Sequence, residues 1–543
     1  SPTLATYLGD RRFDSRLEDR SDEAREQHRR ELTEIRDGVA DIPPDAVAAE
    51  DRITRSALVE QTLRDQAEID ADLRAWTVDP LGGPQLDVLG YEAIQPVRTA
   101  TEARVMVERW RATGWWFDQH IERLRASVRE GRIPVRTPVA KTIEQLAAVL
   151  EQPDEALPLV RPLSVDHPGW DRADVAAFDA DLRAAVREVV RPALHRYLEV
   201  LRDEVLPIAR ADSRPGIGHL AGGAATYRDL IRVHTSLELE PEAIHEIGLE
   251  EVARIDEELS SLGARVLGTA DLDEIRARLR TDRAMTFGTP DEVFDAAKRA
   301  LDRARAAVPG WFGVQPQADC VVVRMLPHEA EHSTIAYYRE PAIDGSRPGQ
   351  YLINTSHPET RPRYEAEALA YHEAVPGHHL QLAISQERTD LPAFRRHLGV
   401  TAFTEGWGLY AERLSDEMGL YSSDLDRIGV LSFDGWRASR LVVDTGMHAL
   451  GWTRGAAIRF MLGHTALAAN NIENEVDRYI VWPGQALAYK LGQREILRLR
   501  TEATNALGSR FDVRAFHDDV LGHGVLSLPT LADVVAEGVR ARS

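Results

Sequence analysis

The segment from Tyr364 to Gln381 reads YEAEALAYHEAVPGHHLQ, and it places three histidines and a catalytic-type glutamate within eight residues. The whole chain holds only 18 histidines among 543 residues, so this density is informative. In the familiar zinc-peptidase helix, a second histidine follows the first by four residues, with a glutamate beside the first. Here Pro376 occupies that position, and the next histidines are His378 and His379. The segment therefore keeps the residue types of a zinc helix but changes their spacing.

Helix geometry decides whether His372 and His378 can bind one ion. Residues six apart on a regular helix differ by about 240° in direction and ~9 Å along the axis. Two nitrogens on one zinc must lie within roughly 3–4 Å of each other. Pro376 has no N–H for the carbonyl of His372, and Gly377 tolerates unusual dihedral angles. We therefore predict that the helix is interrupted at this Pro-Gly pair and that His378 turns back toward His372; His379 is the alternative second ligand.

A third ligand is predicted in the segment TAFTEGWGLYAER, residues 401–413, which has the pattern of a following helix. Glu405 lies far enough after His378 for the first helix to finish and the chain to return. Glu412 falls on the same face and suits an acceptor that holds a ligand imidazole by its other N–H. Two histidines and one glutamate, with a fourth position for water, form a catalytic zinc arrangement. The prediction is one Zn²⁺ on His372, His378 and Glu405, with Glu373 as general base toward the attacking water.

These residues resemble a large bacterial family that is catalogued as a domain of unknown function. The resemblance rests on HEAVPGHH at 372–379 and EGWGLYAE at 405–412, and it extends from YLGD at 7–10 to PGQALAYKLG at 483–492. That family is similar to the glutamate-ligand zincins, such as thimet oligopeptidase and carboxypeptidase Taq. The resemblance implies a mainly helical, zincin-like metallopeptidase fold and a zinc site at His372, His378 and Glu405.

Amide hydrolysis also needs a donor for the developing oxyanion, and two regions downstream offer one. Arg440, Asp444 and His448 are spaced by four residues and share one helical face, and Tyr489 follows a Pro-Gly turn. We predict Tyr489 and His448 as catalytic helpers. The alternatives are an ion pair within the helix for Arg440 and Asp444, and a half-buried core position for Tyr489. Arg440 could also bind the terminal carboxylate of a substrate, as in a carboxypeptidase.

Most of the chain has apolar residues at helical spacing among Ala, Leu, Arg and Glu. The clearest predicted helices are Glu102–Arg129, Val175–Val205, Pro241–Leu262 and Pro290–Val308. Three short β-rich runs follow, Cys320–Leu326, Ser333–Arg339 and Gln350–Asn354, and turn-forming residues between them predict an antiparallel meander. By analogy with zincins, Tyr351–Asn354 is the predicted edge strand for substrate. We predict an N-terminal helical lobe, 1–310, and a catalytic lobe with the small sheet, 311–543.

Composition narrows the choice of partners and location. A net charge of −22 argues against nucleic acid as partner, because phosphate binding needs a basic surface. The lone Cys320 excludes an intrachain disulfide and a cysteine-based zinc site, and its apolar neighbours predict burial. No window approaches the ~20 apolar residues that span a bilayer, and residues 1–14 show no signal peptide. We therefore expect a cytoplasmic protein without a membrane partner; its oligomeric state is left open.

The function predicted from these features is zinc-dependent hydrolysis of amide or peptide bonds, with short peptides as substrates. One alternative is a zinc amidohydrolase of a non-peptide metabolite, with the same ligands and a different pocket. Another is a catalytically inactive, zinc-binding helical protein. The presence of Glu373 argues against the inactive protein, because a purely structural zinc site needs no general base.

Overall fold

The computed structural model describes residues 1–325, 334–343, 345, 347–397 and 399–543, and this part of the chain is mainly helical. The predicted mainly α class is therefore confirmed. Contacts divide the chain into two compact units. The first comprises Ser1–Thr33, Glu68–Ala224 and Ile480–Trp482, and the second comprises Glu34–Ala67, Ala225–Tyr479 and Pro483–Ser543.

These units differ from the predicted lobes 1–310 and 311–543. Residues 225–310 belong to the second unit, because the Pro241–Val266 helix packs closely on the Asp424–His448 helix. At Gly248 a Cβ atom would lie 2.8 Å from Cβ of Leu441, so glycine lets the two helices touch. The change in composition near residue 310 marks the start of the sheet and not a boundary between units.

The first unit is built around a core of large apolar side chains that includes Trp110, Trp116 and Phe117. Its helices are Pro2–Tyr7, Leu73–Trp76, Pro84–Ile94, Ala100–Arg129, Arg136–Glu151, Arg172–Ala185 and Arg191–Glu199. The helix predicted for Val175–Val205 is confirmed: it consists of the last two of these helices and the widened turns 186–190 and 200–205. Helices Asp22–Ala40, Ala49–Ala71, Gly223–Thr235 and Ala469–Val481 include residues of both units.

The second unit contains most of the remaining helices and the sheet. Its helices are Pro241–Val266, Leu272–Thr281, Pro290–Ala307, Ala366–Glu373, His378–Glu387, Ala393–His397, Thr401–Glu417, Asp424–His448, Arg454–His464, Ala488–Leu507, Val513–Leu521 and Leu528–Arg542. Glycines again permit a close crossing. A Cβ atom at Gly406 would lie 2.5 Å from Cα of Gly492, so the helices that contain these glycines meet backbone to backbone.

The sheet has three strands, β1 (Cys320–Arg324), β2 (Ala336–Arg339) and β3 (Gly349–Ile353), in the order β1-β3-β2. β1 pairs with β3 in parallel and β2 pairs with β3 antiparallel. The predicted antiparallel meander is therefore wrong: β3 is the most buried strand and takes the centre, where it pairs on both sides. The predicted strand ends Leu326 and Ser333 lie outside the described residues.

The central place of β3 also corrects the expectation that Tyr351–Asn354 receives the substrate. Residues of β3 already pair with neighbours on both sides, so this strand has no open edge. Within the described sheet the edges are β1 and β2, and β2 packs against the Ala366–Glu373 helix. Cys320 begins β1 and is 1% exposed, and burial raises the pKa of its thiol to about 12, which fits the predicted structural role.

Candidate metal centre

The helix that carries His372 is interrupted at the predicted place. The Ala366–Glu373 helix ends at the glutamate, and a new helix begins at His378. Between them the backbone leaves the helical region, with ψ of −107° at Ala374 and −129° at Gly377. The N–H of His379 donates to the carbonyl of Ala374 at 3.0 Å, one residue further back than in a regular helix. The predicted break at Pro376–Gly377 is confirmed.

Glycine is required at position 377 because the backbone folds tightly onto itself there. A Cβ atom at Gly377 would lie 1.9 Å from the carbonyl oxygen of His372 and 2.3 Å from that of Tyr371. The indole N–H of Trp407 donates to the carbonyl of Pro376 at 2.9 Å and fixes the turn to the neighbouring helix. The compact turn brings the rings of His372 and His378 to a centroid distance of 4.6 Å.

Three candidate ligand atoms converge at this turn. Nε2 of His372 lies 3.5 Å from Oε2 of Glu405, and Nε2 of His378 lies 3.6 Å from the same oxygen. One ligand atom from each of the three residues lies within 4.8 Å of the others. Ligands of one tetrahedral zinc lie roughly 3–4 Å apart, so the distances from Glu405 to the two imidazoles suit a shared metal ion.

Glu412 orients the first of these imidazoles. Nδ1 of His372 donates to Oε1 of Glu412 at 2.8 Å, and this carboxylate is 1% exposed. The hydrogen bond at Nδ1 fixes the ring so that Nε2 points toward Glu405. The helix can approach the ring because Gly408 has no side chain; a Cβ atom there would lie 2.5 Å from Cε1 of His372. The position that we predicted for Glu412 is confirmed.

The adjacent residues His378 and His379 have different hydrogen-bond partners, and this difference favours one of them as the second metal ligand. His379 uses both ring nitrogens: Nδ1 accepts from the hydroxyl of Tyr338 at 2.9 Å, and Nε2 donates to the carbonyl of Ala318 at 3.1 Å. Burial lowers the pKa of His379 to about 4, so it is neutral at pH 7. His378 instead turns Nε2 toward Glu405, and its buried Nδ1 has no hydrogen-bond partner among the described residues.

The electrostatics of the centre favour a cation. Burial by itself would lower the pKa of His372, but hydrogen bonds to Glu405 and Glu412 raise it to about 9. The pKa of Glu405 lies well below its ordinary value in spite of burial, because His372 and His378 stabilise the carboxylate. Glu373 adds a third acidic side chain next to His372 in the sequence, and it is half-buried. An excess of carboxylates around two imidazoles attracts positive charge.

Tyr489 is on the Ala488–Leu507 helix, which crosses the helix that carries Glu405. It precedes Gly492 by about one helical turn, and Gly492 touches Gly406, the residue after Glu405. Burial raises the pKa of the Tyr489 phenol, and the charge of Glu405 raises it further. Its hydroxyl is therefore protonated at pH 7 and able to donate a hydrogen bond.

His448 has a different set of contacts. Its Nε2 donates to the carbonyl of Tyr479 at 2.9 Å, and its ring lies 5.2 Å from that of Tyr227. These contacts do not bring His448 to the three candidate ligands. Asp444 does not pair with Arg440 as the spacing suggested, because it accepts from the hydroxyl of Tyr227 and from the N–H of Gly484.

The sequence interpretation missed the true partners of Arg440. Its Nη2 donates to Glu475 at 3.0 Å and its Nε to the hydroxyl of Tyr479 at 2.8 Å. The signal in the sequence was weak: Glu475 and Arg478 are charged residues three apart on the amphipathic Ala469–Val481 helix. That spacing is usual on solvated helix faces, so it did not indicate a buried network.

The fold and the three-residue centre define a mainly helical protein with a candidate catalytic metal site. Residues 2–535 match the family described as "Bacterial protein of unknown function (DUF885)", and the chain belongs to this family. The resemblance to a bacterial family of unknown function is thereby confirmed. No curated protein matches the chain.

Two solved structures share the fold along nearly the whole chain. A protein from Colwellia psychrerythraea, described as a lipoprotein, is 28% identical, with a TM-score of 0.92 over 99% of this chain and 96% of its own. A protein from Shewanella oneidensis, described as a lipoprotein of unknown function, is 18% identical, with a TM-score of 0.75 over the same shares. A protein from Bacillus anthracis str. Ames, described as an oligoendopeptidase F, is 12% identical over 94% of each chain, and its TM-score of 0.32 is too low to indicate a shared fold.

These relatives correct the predicted location. The cytoplasmic expectation is wrong, because a protein that is 28% identical and shares the fold along 99% of the chain is described as a lipoprotein. That expectation rested on the lack of an apolar stretch in residues 1–14, which does not determine where a protein works. Among the described residues no helix combines the length and the apolar character needed to cross a bilayer.

Proposed function

We propose that the protein is a zinc-dependent hydrolase that cleaves amide bonds in short peptides. The observation that carries the proposal is the convergence of Nε2 of His372, Nε2 of His378 and Oε2 of Glu405 at distances suited to one metal ion. Two imidazoles and one carboxylate are a donor set typical of catalytic zinc. Zinc supplies a Lewis acid that polarises a carbonyl oxygen and lowers the pKa of water.

The residues around the centre have distinct parts in this proposal. Glu373 is next to His372, is not one of the three converging ligands and is half-buried, so its carboxylate suits a general base that takes a proton from the attacking water. Tyr489 donates its phenolic proton in a hydrogen bond to the developing oxyanion. Glu412 keeps the His372 ring in its tautomer and orientation.

The outer side of β2, which pairs with no further strand among the described residues, offers a place for the substrate backbone. β2 is an edge strand of the described sheet and packs against the helix that carries His372 and Glu373. An extended peptide can add to such an edge through main-chain hydrogen bonds, which give affinity with little sequence selectivity. The likeness to two proteins described as lipoproteins favours action at the cell envelope.

The test uses two isosteric variants to distinguish a loss of catalysis from a loss of zinc binding. Glu373→Gln should keep stoichiometric zinc and lose turnover by ~10²–10⁴-fold, because it removes a base and no ligand. Glu405→Gln should lose zinc and turnover together. Turnover is followed by mass spectrometry of a digested peptide library, and zinc is measured by elemental analysis of the same samples. Near-normal turnover by zinc-replete Glu373→Gln would refute the mechanism, and intact peptides with zinc-replete wild-type protein would refute the peptide substrate.

A further inference from the structure

Two buried arginines lie on the helix Asp424–His448, which packs against the Ala366–Glu373 helix. Arg437 is 6% exposed and Arg440 is 3% exposed. Nη1 of Arg440 is buried and has no hydrogen-bond partner among the described residues. The same holds for Nε and Nη1 of Arg437, whose guanidinium carbon lies 4.3 Å from the centre of the Trp436 ring. Buried donors without acceptors are costly, so these three atoms indicate a binding function.

The charges around these arginines indicate that the missing hydrogen-bond acceptor is an anion. Arg440 and Arg478 both donate to the single carboxylate of Glu475, and Arg437 forms no ion pair among the described residues. Guanidinium groups stay charged at any physiological pH, so they cannot relieve the excess by losing protons. A bound anion would compensate the surplus positive charge and satisfy the free N–H groups.

Contacts connect this arginine pair to the metal centre. The guanidinium carbon of Arg440 lies 4.3 Å from the centre of the Tyr489 ring and 4.5 Å from that of Trp436, the ring that Arg437 also covers. Tyr489 in turn precedes the crossing of Gly406 and Gly492 by about one turn, and the charge of Glu405 acts on its phenol. The Tyr489 ring thus connects the arginine pair to the helix crossing next to Glu405.

We propose that Arg437 and Arg440 bind the free C-terminal carboxylate of the peptide substrate. The proposal rests on the hydrolase function above and narrows its substrates to short peptides with an unblocked C-terminus. Planar guanidinium forks match the two oxygens of a carboxylate, and such charge-assisted hydrogen bonds are stronger than neutral ones. The hydrophobic faces of Trp436 and Tyr489 exclude water from the pair and strengthen the attraction.

The test measures binding separately from hydrolysis. The probes are acetyl-Ala-Ala-Ala and its C-terminal amide, titrated by calorimetry into zinc-loaded Glu373→Gln protein, which should not cleave them. The free acid should bind ~10–100-fold more tightly than the amide, the range expected for hydrogen bonds to a charged group. In the same background Arg437→Met should bring this ratio close to one. Arg427→Met, at the exposed end of the same helix, is the matched control and should keep the ratio.

A second variant addresses folding, because removal of Arg440 would leave the buried Glu475 without one of its partners. Arg440→Lys retains the charge but not the fork, and it should also reduce the preference for the free acid. Equal affinities for the two peptides, or no binding of either, would overturn the proposal even if wild-type protein hydrolyses peptides. Arginine-dependent selectivity for the free acid without hydrolysis by wild-type protein would instead support this site and refute the proposed hydrolase.

Discussion

At the scale of single residues, the centre depends on which nitrogen of each histidine is held by the protein. Glu412 holds Nδ1 of His372, and Ala318 and Tyr338 hold both nitrogens of His379. The sequence predicted His372 from its place beside Glu373, and Glu405 and Glu412 from their shared face on a following helix. It left His378 and His379 unresolved, because the partners of His379 come from distant parts of the chain.

The role of Glu412 can be tested through metal affinity. Glu412→Gln keeps the size of the side chain but replaces the charged acceptor of the His372 proton with a neutral one. Zinc affinity should fall ~10–100-fold, as it does when the hydrogen-bond partner of a metal-bound histidine is removed. Competition with a chromogenic chelator measures the change. Glu417→Gln, on the same helix in a surface ion pair with Arg500, is the control and should match the wild type; equal affinity for both variants would contradict the role.

At the scale of secondary structure elements, the interrupted helix was predictable and the sheet order was not. The break follows from local rules: Pro376 cannot donate to the His372 carbonyl, and Gly377 can fold tightly. The sheet order depends on which strand is buried between the other two, and that is settled by packing with helices elsewhere in the chain. Turn residues alone suggested consecutive hairpins, so the parallel pairing of β1 and β3 was missed.

Replacement of the glycine in this break tests the link between backbone and metal site. Gly377→Ala places a methyl group against the carbonyl oxygens of Tyr371 and His372, so the turn must open and carry His378 away from His372. We expect a loss of about 1–3 kcal/mol in the free energy of unfolding together with weaker zinc binding. Urea denaturation and zinc titration measure the two effects. Gly463→Ala, at a helical glycine with open space around it, should cause neither; unchanged zinc affinity in Gly377→Ala would show that the break does not position the ligands.

At the scale of the whole molecule, the helical class could be predicted from the sequence, but the division into units and the location could not. The division into units depends on close contacts between helices, such as the one at Gly248. The change in composition near residue 310, on which the predicted boundary rested, does not reveal such contacts. Buried ionisable groups outside the metal centre are likewise visible only in the structure. Asp444 is one of them, held by the hydroxyl of Tyr227 and the N–H of Gly484.

Asp444 should make the stability of the protein depend on pH. Burial raises the pKa of its carboxyl to about 7, whereas an unfolded chain titrates near ~3.9. Between about pH 4 and 7 the folded chain therefore binds the extra proton, and stability falls as the pH rises through this window. Asp444→Asn cannot titrate, so the free energy of unfolding of the wild type relative to this variant should fall by roughly 2–4 kcal/mol across the window. Urea denaturation at several pH values gives the difference, and a pH-independent difference would contradict the assignment.

The most direct test of the central claim is the zinc content of three purified proteins, prepared without chelator and measured by elemental analysis on folded, monodisperse samples. The wild type should contain one zinc per chain. His379→Gln should retain it, because both nitrogens of His379 serve hydrogen bonds to Tyr338 and Ala318. His378→Ala should lose it, because Nε2 of His378 faces Glu405 in the donor cluster. Stoichiometric zinc in His378→Ala together with its loss from His379→Gln, or no zinc in the wild type, would contradict the metal centre described above.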